Sequence, residues 1–171
     1  MTEIIETERL RLELLTEETI EQLLRDPPEW APAGLHRFLR MRLEKLRANP
    51  QAERPWAPRL IGLREDPSTI VGHAGFHGPP GTSAVRSPTA VEIGYTIFEP
   101  YRRRGYATEA VRALIEWAQR QPQVDRIIAS ISPTNEPSLA IARRFGFVEI
   151  GRHWDEEDGE ELEFELVGGT G

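Results

Sequence analysis

Leu10, Leu12 and Leu14 alternate with charged neighbours between Arg9 and Leu15, the period of two that marks a strand with one wet face. The spacing then changes. Thr16 is an N-cap for a short helix that Pro27-Pro28 ends, and Leu35, Phe38, Leu39, Leu43 and Leu46 recur at helical intervals to give a second helix over 35–48. Strands are predicted over 60–64 and 69–76, joined by Glu65-Asp66-Pro67-Ser68, a turn by composition. A loop rich in Gly, Pro and Ser covers 77–89 and is either a lid or a plain excursion. Val91, Ile93, Tyr95 and Ile97 alternate along a strand that Glu99-Pro100 stops, and Ala107, Ala110, Val111, Leu114, Ile115 and Ala118 form the stripe of a long helix. A strand over 126–131, a helix over 135–145 stopped by Gly146, and a hairpin of 147–154 with 160–167 complete the pattern, leaving a glycine-rich tail at 168–171 that should fray. The expected fold class is α/β (α+β), with about seven strands in one mixed sheet, about four helices on its faces, and a single domain over 1–171.

The joint between the central strand and the long helix reads Arg102-Arg103-Arg104-Gly105-Tyr106-Ala107. The first turn of a helix presents backbone N–H groups without intrahelical partners, and the helix dipole adds positive potential there. Gly105 lets the chain approach a ligand closely, and three arginines add charge, so the turn is built for an anion such as a phosphate. A run of three arginines on a solvated face is the alternative.

Composition narrows the partners. The net charge of −7 argues against nucleic acid, which calls for a broad positive surface, and favours a cationic small molecule or a basic peptide. The chain has no cysteine, which excludes disulfides, thiolate metal sites and a cysteine nucleophile, and agrees with a cytoplasmic setting. No apolar run approaches the length of a membrane span, and the acidic start is not that of a signal peptide, so a soluble protein without membrane contact is expected. Lys45 is the only lysine.

Taken in order, Glu92-Ile93-Gly94-Tyr95, the arginine and glycine turn, Asn135-Glu136-Pro137-Ser138 and Phe145-Gly146-Phe147 resemble the GNAT superfamily of acyl-CoA-dependent N-acetyltransferases. The superfamily's acetyl-CoA motif, Gln/Arg-x-x-Gly-x-Gly/Ala, is satisfied by Arg102, Gly105 and Ala107. The resemblance is sharpest over about 90–150 and leans toward the branch of Rim-type ribosomal-protein acetyltransferases. It implies that the strand ending at Phe98 and the strand 126–131 splay apart, with the pantetheine arm of acetyl-CoA between them, paired to backbone near Ile97 and Phe98. The pyrophosphate would lie on Arg102, Arg103, Arg104, Gly105, Tyr106, Ala107 and Thr108, and the first two helices and the closing hairpin would border the amine acceptor.

Acetyl transfer to an amine needs a neutral nucleophile, stabilisation of the tetrahedral centre and an acid for the thiolate. An α-amine of pKa about 7.8 is roughly one part in seven neutral at pH 7, whereas a lysine amine of pKa about 10.4 is only about one part in 2,500. Glu92 lies out of phase with Val91, Ile93 and Tyr95 and, by resemblance, is the base acting through a water; an ordinary strand carboxylate or ion-pair partner is the alternative. Many superfamily members place a tyrosine acid where this chain has Ala142. By resemblance to the Rim-like branch Ser138 is the hydroxyl near the sulfur and Asn135 a cofactor contact, against a capping role for both. His73 and His77 stand four apart on an extended segment, a spacing that does not converge on a metal, and Asp155 to Glu161 does not have the spacing of a calcium loop, so no metal is expected.

The resulting reading is an acetyl-CoA-dependent N-acetyltransferase working by direct attack in a ternary complex, on a peptide N-terminus or a small cationic amine. Its rivals are an acetylase of polyamines, aminoglycosides or amino acids, and an acyl-CoA-sensing module without turnover. Monomer and homodimer both stay open.

Overall fold

The computed structural model describes residues 4–83, 85 and 87–167, so the glycine-rich tail lies outside the described residues, as do Ala84 and Arg86 of the 77–89 loop. The chain opens with β1 (Ile4–Glu6) and β2 (Leu10–Leu14), continues through α1 (Glu17–Arg25), α2 (Leu35–Ala48) and the short α3 (Pro50–Glu53), and returns as β3 (Arg59–Leu63) and β4 (Ile70–Phe76). Then follow β5 (Ala90–Ile97), α4 (Tyr106–Gln119), β6 (Arg126–Ile131), α5 (Glu136–Arg144), β7 (Val148–Asp155) and β8 (Gly159–Val167). The eight strands form one sheet in the order β1-β2-β3-β4-β5-β6-β8-β7. The eighth strand and the fifth helix exceed the expected counts. β1 is three residues long and joined to β2 by a tight turn in which Thr7 N–H donates to Leu10 O at 2.9 Å, too short to show a period. α3 has four residues, started by Pro50 and capped by the Asn49 side chain, which accepts from Ala52 N–H at 3.4 Å.

Neighbouring strands are antiparallel except β5 and β6, which run parallel. Parallel neighbours need a crossover, and α4 supplies it. Its apolar stripe, Ala110, Val111, Leu114, Ile115 and Ala118, packs with Leu139 and Ala142 of α5 onto Val71, Val91, Ile93 and Ile127 of the sheet. A second cluster joins Ile20 of α1 and Leu35, Leu39, Leu43 and Leu46 of α2 to Leu14, Leu15 and Ala57. Burying each of the leucine, isoleucine and valine side chains among these contributes about 1.5–3 kcal/mol.

The β5–β6 pairing runs only from Ala90↔Arg126 to Glu92↔Ile128, although β5 continues to Ile97 and β6 to Ile131. Beyond Glu92 the two strands part, as the splayed arrangement requires. β4 keeps its hold on β5 throughout, from Phe76↔Ile93 to Gly72↔Ile97, so β5 has one satisfied edge and one open edge over its second half.

Candidate active site

A cleft of about 1000 Å³ opens where β5 and β6 separate, lined by β5, the arginine turn, the start of α4 and α5. His77 N–H donates to Glu92 O at 2.9 Å and Phe98 N–H to Val71 O at 2.8 Å, which fixes the parity of the strand. Backbone groups of the even-numbered residues address β4, and those of Tyr95 and Ile97 address the gap. The Ile97 carbonyl is taken by Arg102 Nε at 2.9 Å.

At the head of the cleft the chain takes two left-handed steps, Arg103 at φ 65° and Gly105 at φ 81°. A side chain costs about 1–2 kcal/mol in that region, which Arg103 bears and Gly105 avoids. Gly105 is the N-cap of α4 and gives no side-chain cap, so the N–H groups of Tyr106, Ala107 and Thr108 have no intrahelical partner, and these three residues line the cleft. Arg103 and Arg144 line the same wall, the latter a cation of α5 that the sequence pattern did not single out.

Two of the expected cofactor contacts are not on this wall. Phe98 has spent its N–H on Val71 and is buried, stacked on Trp30 at 6.1 Å between ring centroids, because it continues the even-numbered parity that faces β4. Arg104 gives its carbonyl to Arg9 Nη1 at 2.8 Å and does not line the cleft. Arg102 lines it, with its Nε turned back onto Ile97. Ile97, Arg103, Gly105, Tyr106, Ala107, Thr108 and Asn135 all line it.

Arg9 is the brace that sequence reasoning missed. Its Nε meets Glu109 Oε1 at 2.7 Å, its backbone N–H reaches Glu109 Oε2 at 2.9 Å, and its guanidinium lies over the Tyr106 ring at 4.7 Å from the centroid. Burial works against the Glu109 carboxylate, but hydrogen bonds from Thr7 and Arg9 and the Arg9 charge hold its pKa below the ordinary value. The brace ties β2 to the first turn of α4. Glu109→Gln is therefore expected to leave the fold intact and to weaken acetyl-CoA binding about fivefold, part of the roughly 1.5–3 kcal/mol carried by a charged hydrogen bond. Titration of the melting shift against ligand concentration reads that change.

On the other side of the junction lies a second cleft of about 960 Å³, walled by α2, β4, β5, β6 and the β7–β8 hairpin. Tyr95, Thr96, Asn135 and Ser138 line both clefts. The two spaces meet at those four residues. Glu92 projects into the second cleft, 5% exposed, with its Oε2 at 3.0 Å from His77 Nδ1. Gly94 leaves room for this pair, since a Cβ there would come within 2.8 Å of His77 Nε2. The partnership of β4's end with β5 was invisible as an interval in sequence. His73, also in the cleft, stacks on Phe38 at 4.4 Å, and burial pushes its imidazole down to about 4.

The hairpin supplies a negative wall of Asp155, Asp158 and Glu161, whose oxygens come within 4.8 Å of one another. An exposed acidic turn of this kind is ordinary without an ion. Burial, followed by the neighbouring charges of Asp158, Asp155 and Glu92 against that of His153, raises the Glu161 pKa. Burial disfavours the charged form of His153, yet its 2.7 Å contact with Glu163 and the charges of Glu163, Glu161 and Glu92 raise its pKa overall. Opposite, Lys45 Nζ donates to His77 O at 3.1 Å, and burial together with nearby Arg42 lowers the lysine pKa.

On α5, Asn135 caps the helix, its Oδ1 accepting from Ser138 N–H at 3.3 Å. Capping and cleft lining coexist at both residues. Tyr95, read from its period as an apolar strand position, lines both clefts beside Ser138; burial raises its pKa, and the Ser138 side chain acts against that rise. Among the described residues no helix is long and apolar enough to cross a membrane.

Comparison with known proteins places this geometry. An uncharacterized N-acetyltransferase, YjdG of Bacillus subtilis (strain 168), is 34% identical over 88 residues, 52% of this chain and 49% of its own length. The [ribosomal protein uS5]-alanine N-acetyltransferase of Escherichia coli (strain K12) is 33% identical over 87 residues, 50% of this chain and 42% of its own length. The chain thus spans about half the length of the curated relatives it matches. The structure of RimL, a ribosomal L7/L12 alpha-N-protein acetyltransferase in complex with coenzyme A, shares the fold with a TM-score of 0.70 at 19% identity, covering 96% of this chain and 98% of that one. Residues 5–148 match the acetyltransferase (GNAT) domain family, and with the parted strands and the uncapped helix they establish that this chain belongs to it.

Proposed function

We propose that the protein transfers the acetyl group of acetyl-CoA to a primary amine by direct attack in a ternary complex. The observation that carries this reading is the meeting of two clefts at Tyr95, Thr96, Asn135 and Ser138. One cleft offers an uncapped helix start for an anion, and the other offers a buried carboxylate for an amine. In this arrangement the pyrophosphate rests on Gly105, Tyr106, Ala107 and Thr108 with Arg103 as counter-charge, each charge-assisted contact contributing about 1.5–3 kcal/mol. The pantetheine runs along the open edge of β5 at Tyr95 and Ile97, and the thioester reaches the junction.

The amine enters from the second cleft. Glu92 takes its proton through a water, His77 orients the carboxylate, and the acidic hairpin wall attracts the cation from solution. Ser138 stands beside the leaving sulfur, and Asn135 contacts the cofactor while capping α5. The acceptor is an α-amine, as in a peptide N-terminus. Its amine is the easier one to present neutral, and the uS5-alanine acetyltransferase is 33% identical to this chain over 87 residues. The reaction takes place in the cytoplasm.

The test is a CoA-release assay across peptides with free N-termini, polyamines, amino acids and aminoglycosides. Turnover with peptide N-termini above the others is the expected result. Turnover confined to polyamines or aminoglycosides would assign the small-molecule reading. Acetyl-CoA binding without release for any amine would make the chain a sensor.

A further inference from the structure

Once the amine has attacked, the C–S bond can break only as fast as the sulfur's negative charge is met. The long helix-borne tyrosine of many relatives is absent here, since its place is held by Ala142, which is buried in the core. A hydroxyl of the Ser138 type is a far weaker acid than a thiol, which stands near 8.5. Proton transfer from a serine alone therefore runs steeply uphill. A phenol at about 10 is only about 1.5 units from the thiol. The junction holds one phenol: Tyr95 lines both clefts together with Ser138 and sits on the open half of β5.

Resting on the acetyl-transfer reading above, we propose that Tyr95 is the general acid of the reaction, with Ser138 as the positioning residue that holds its hydroxyl at the junction of the two clefts. The amine nitrogen bonds to the thioester carbonyl carbon, the C–S electron pair collapses onto sulfur, and the phenol proton passes to the sulfur. Ser138 O–H then donates to the phenolate oxygen. The proton lost by the nitrogen leaves through water to Glu92, and exchange with solvent returns Glu92 and Tyr95 to their starting states. Burial raises the Tyr95 pKa, with the Ser138 side chain acting in the opposite direction, so the phenol carries its proton at neutral pH.

The ring of Tyr95 packs against the core, so Tyr95→Phe keeps the packing and removes only the hydroxyl. With acetyl-CoA and the panel amine that releases CoA fastest, Tyr95→Phe is expected to lower kcat by about 10²-fold while the acetyl-CoA dissociation constant stays within about threefold. The wild-type kcat should fall on the alkaline side as the phenol ionises, and the variant should lack that limb. Ser138→Ala is expected to lose about tenfold, and the double variant no more than Tyr95→Phe alone, because the two hydroxyls act as one device. A kcat within threefold of wild type in Tyr95→Phe, an alkaline limb that survives the substitution, or losses that multiply in the double variant would each overturn the assignment. Wild-type turnover separates the two readings. If the wild type releases CoA and Tyr95→Phe does so equally well, this inference falls and acetyl transfer stands; if the wild type releases none with any amine, acetyl transfer falls with it.

Discussion

Acetyl-CoA is expected to raise the melting temperature of the protein, and Gly105→Glu is expected to abolish that rise. A ligand bound only by the folded state adds about 2.7 kcal/mol at a hundred times its Kd, and at this chain length each kcal/mol moves Tm by about 2–4 °C. The wild-type shift should thus be on the order of 5–10 °C. At φ 81° Gly105 occupies the left-handed region, where a Cβ costs about 1–2 kcal/mol. The space itself is only mildly tight, the nearest atom being Arg9 Nη2 at 3.3 Å, the far end of a flexible side chain. Strain alone therefore lowers the ligand-free Tm by a few degrees and leaves a folded protein. The carboxylate does the larger harm, because it lies across the uncapped N–H groups of α4 and repels the phosphates from the place they would occupy. Gly105→Ala separates the two effects. It bears the strain without the charge, and should retain most of the ligand shift. Differential scanning fluorimetry with and without acetyl-CoA measures all three proteins, and a full wild-type shift in Gly105→Glu would remove the anion site from this turn.

That turn was legible in the sequence because everything it needs is local: a strand period that stops, a glycine, and a helical stripe that starts within a few residues. The same holds for α2 and α4, whose stripes are long enough to show a period, and for α1 and α5, which local start and stop residues mark: Thr16 and Pro27-Pro28 for one, Asn135 and Gly146 for the other. What stayed hidden depends on register and docking. Arg9 and Glu109 stand a hundred residues apart in the chain, and only the placement of α4 against β2 brings them to 2.7 Å. His77 and Glu92 meet because β4 and β5 pair Phe76 with Ile93, a register that no interval in the sequence records. Phe98 gives its backbone N–H to Val71 of β4 and its ring to Trp30, and so stays off the first cleft although it adjoins Ile97, which lines it. Tyr95 was the instructive case. A period of two sees its ring and places it correctly against the core, but it is blind to where the hydroxyl ends, which the approach of α5 decides.

Glu92→Gln is expected to reduce kcat/KM by about 10²–10³-fold at pH 7 and to regain most of the loss as the pH rises. The substitution keeps the shape of a side chain that is almost wholly buried at the end of the paired segment of β5, so folding and acetyl-CoA binding should persist. What goes is the group that accepts the amine proton. Rising pH replaces it by supplying neutral amine directly. With an α-amine of pKa about 7.8, recovery should be nearly complete by about pH 8.5–9, a unit above the amine, whereas a lysine-like amine of pKa about 10.4 would still be gaining there. The profile reports the class of acceptor along with the role of the carboxylate. His73 does not confuse it, since with a pKa pushed down to about 4 it stays neutral throughout the range. His77 does bear on it, because its Nδ1 contact at 3.0 Å orients the carboxylate. His77→Ala should therefore cost about tenfold, with the recovery at high pH retained. A Glu92→Gln enzyme reduced by one constant factor from pH 6 to pH 9 would show that Glu92 holds the second cleft in shape, and that the low pKa of an N-terminal amine makes a dedicated base unnecessary.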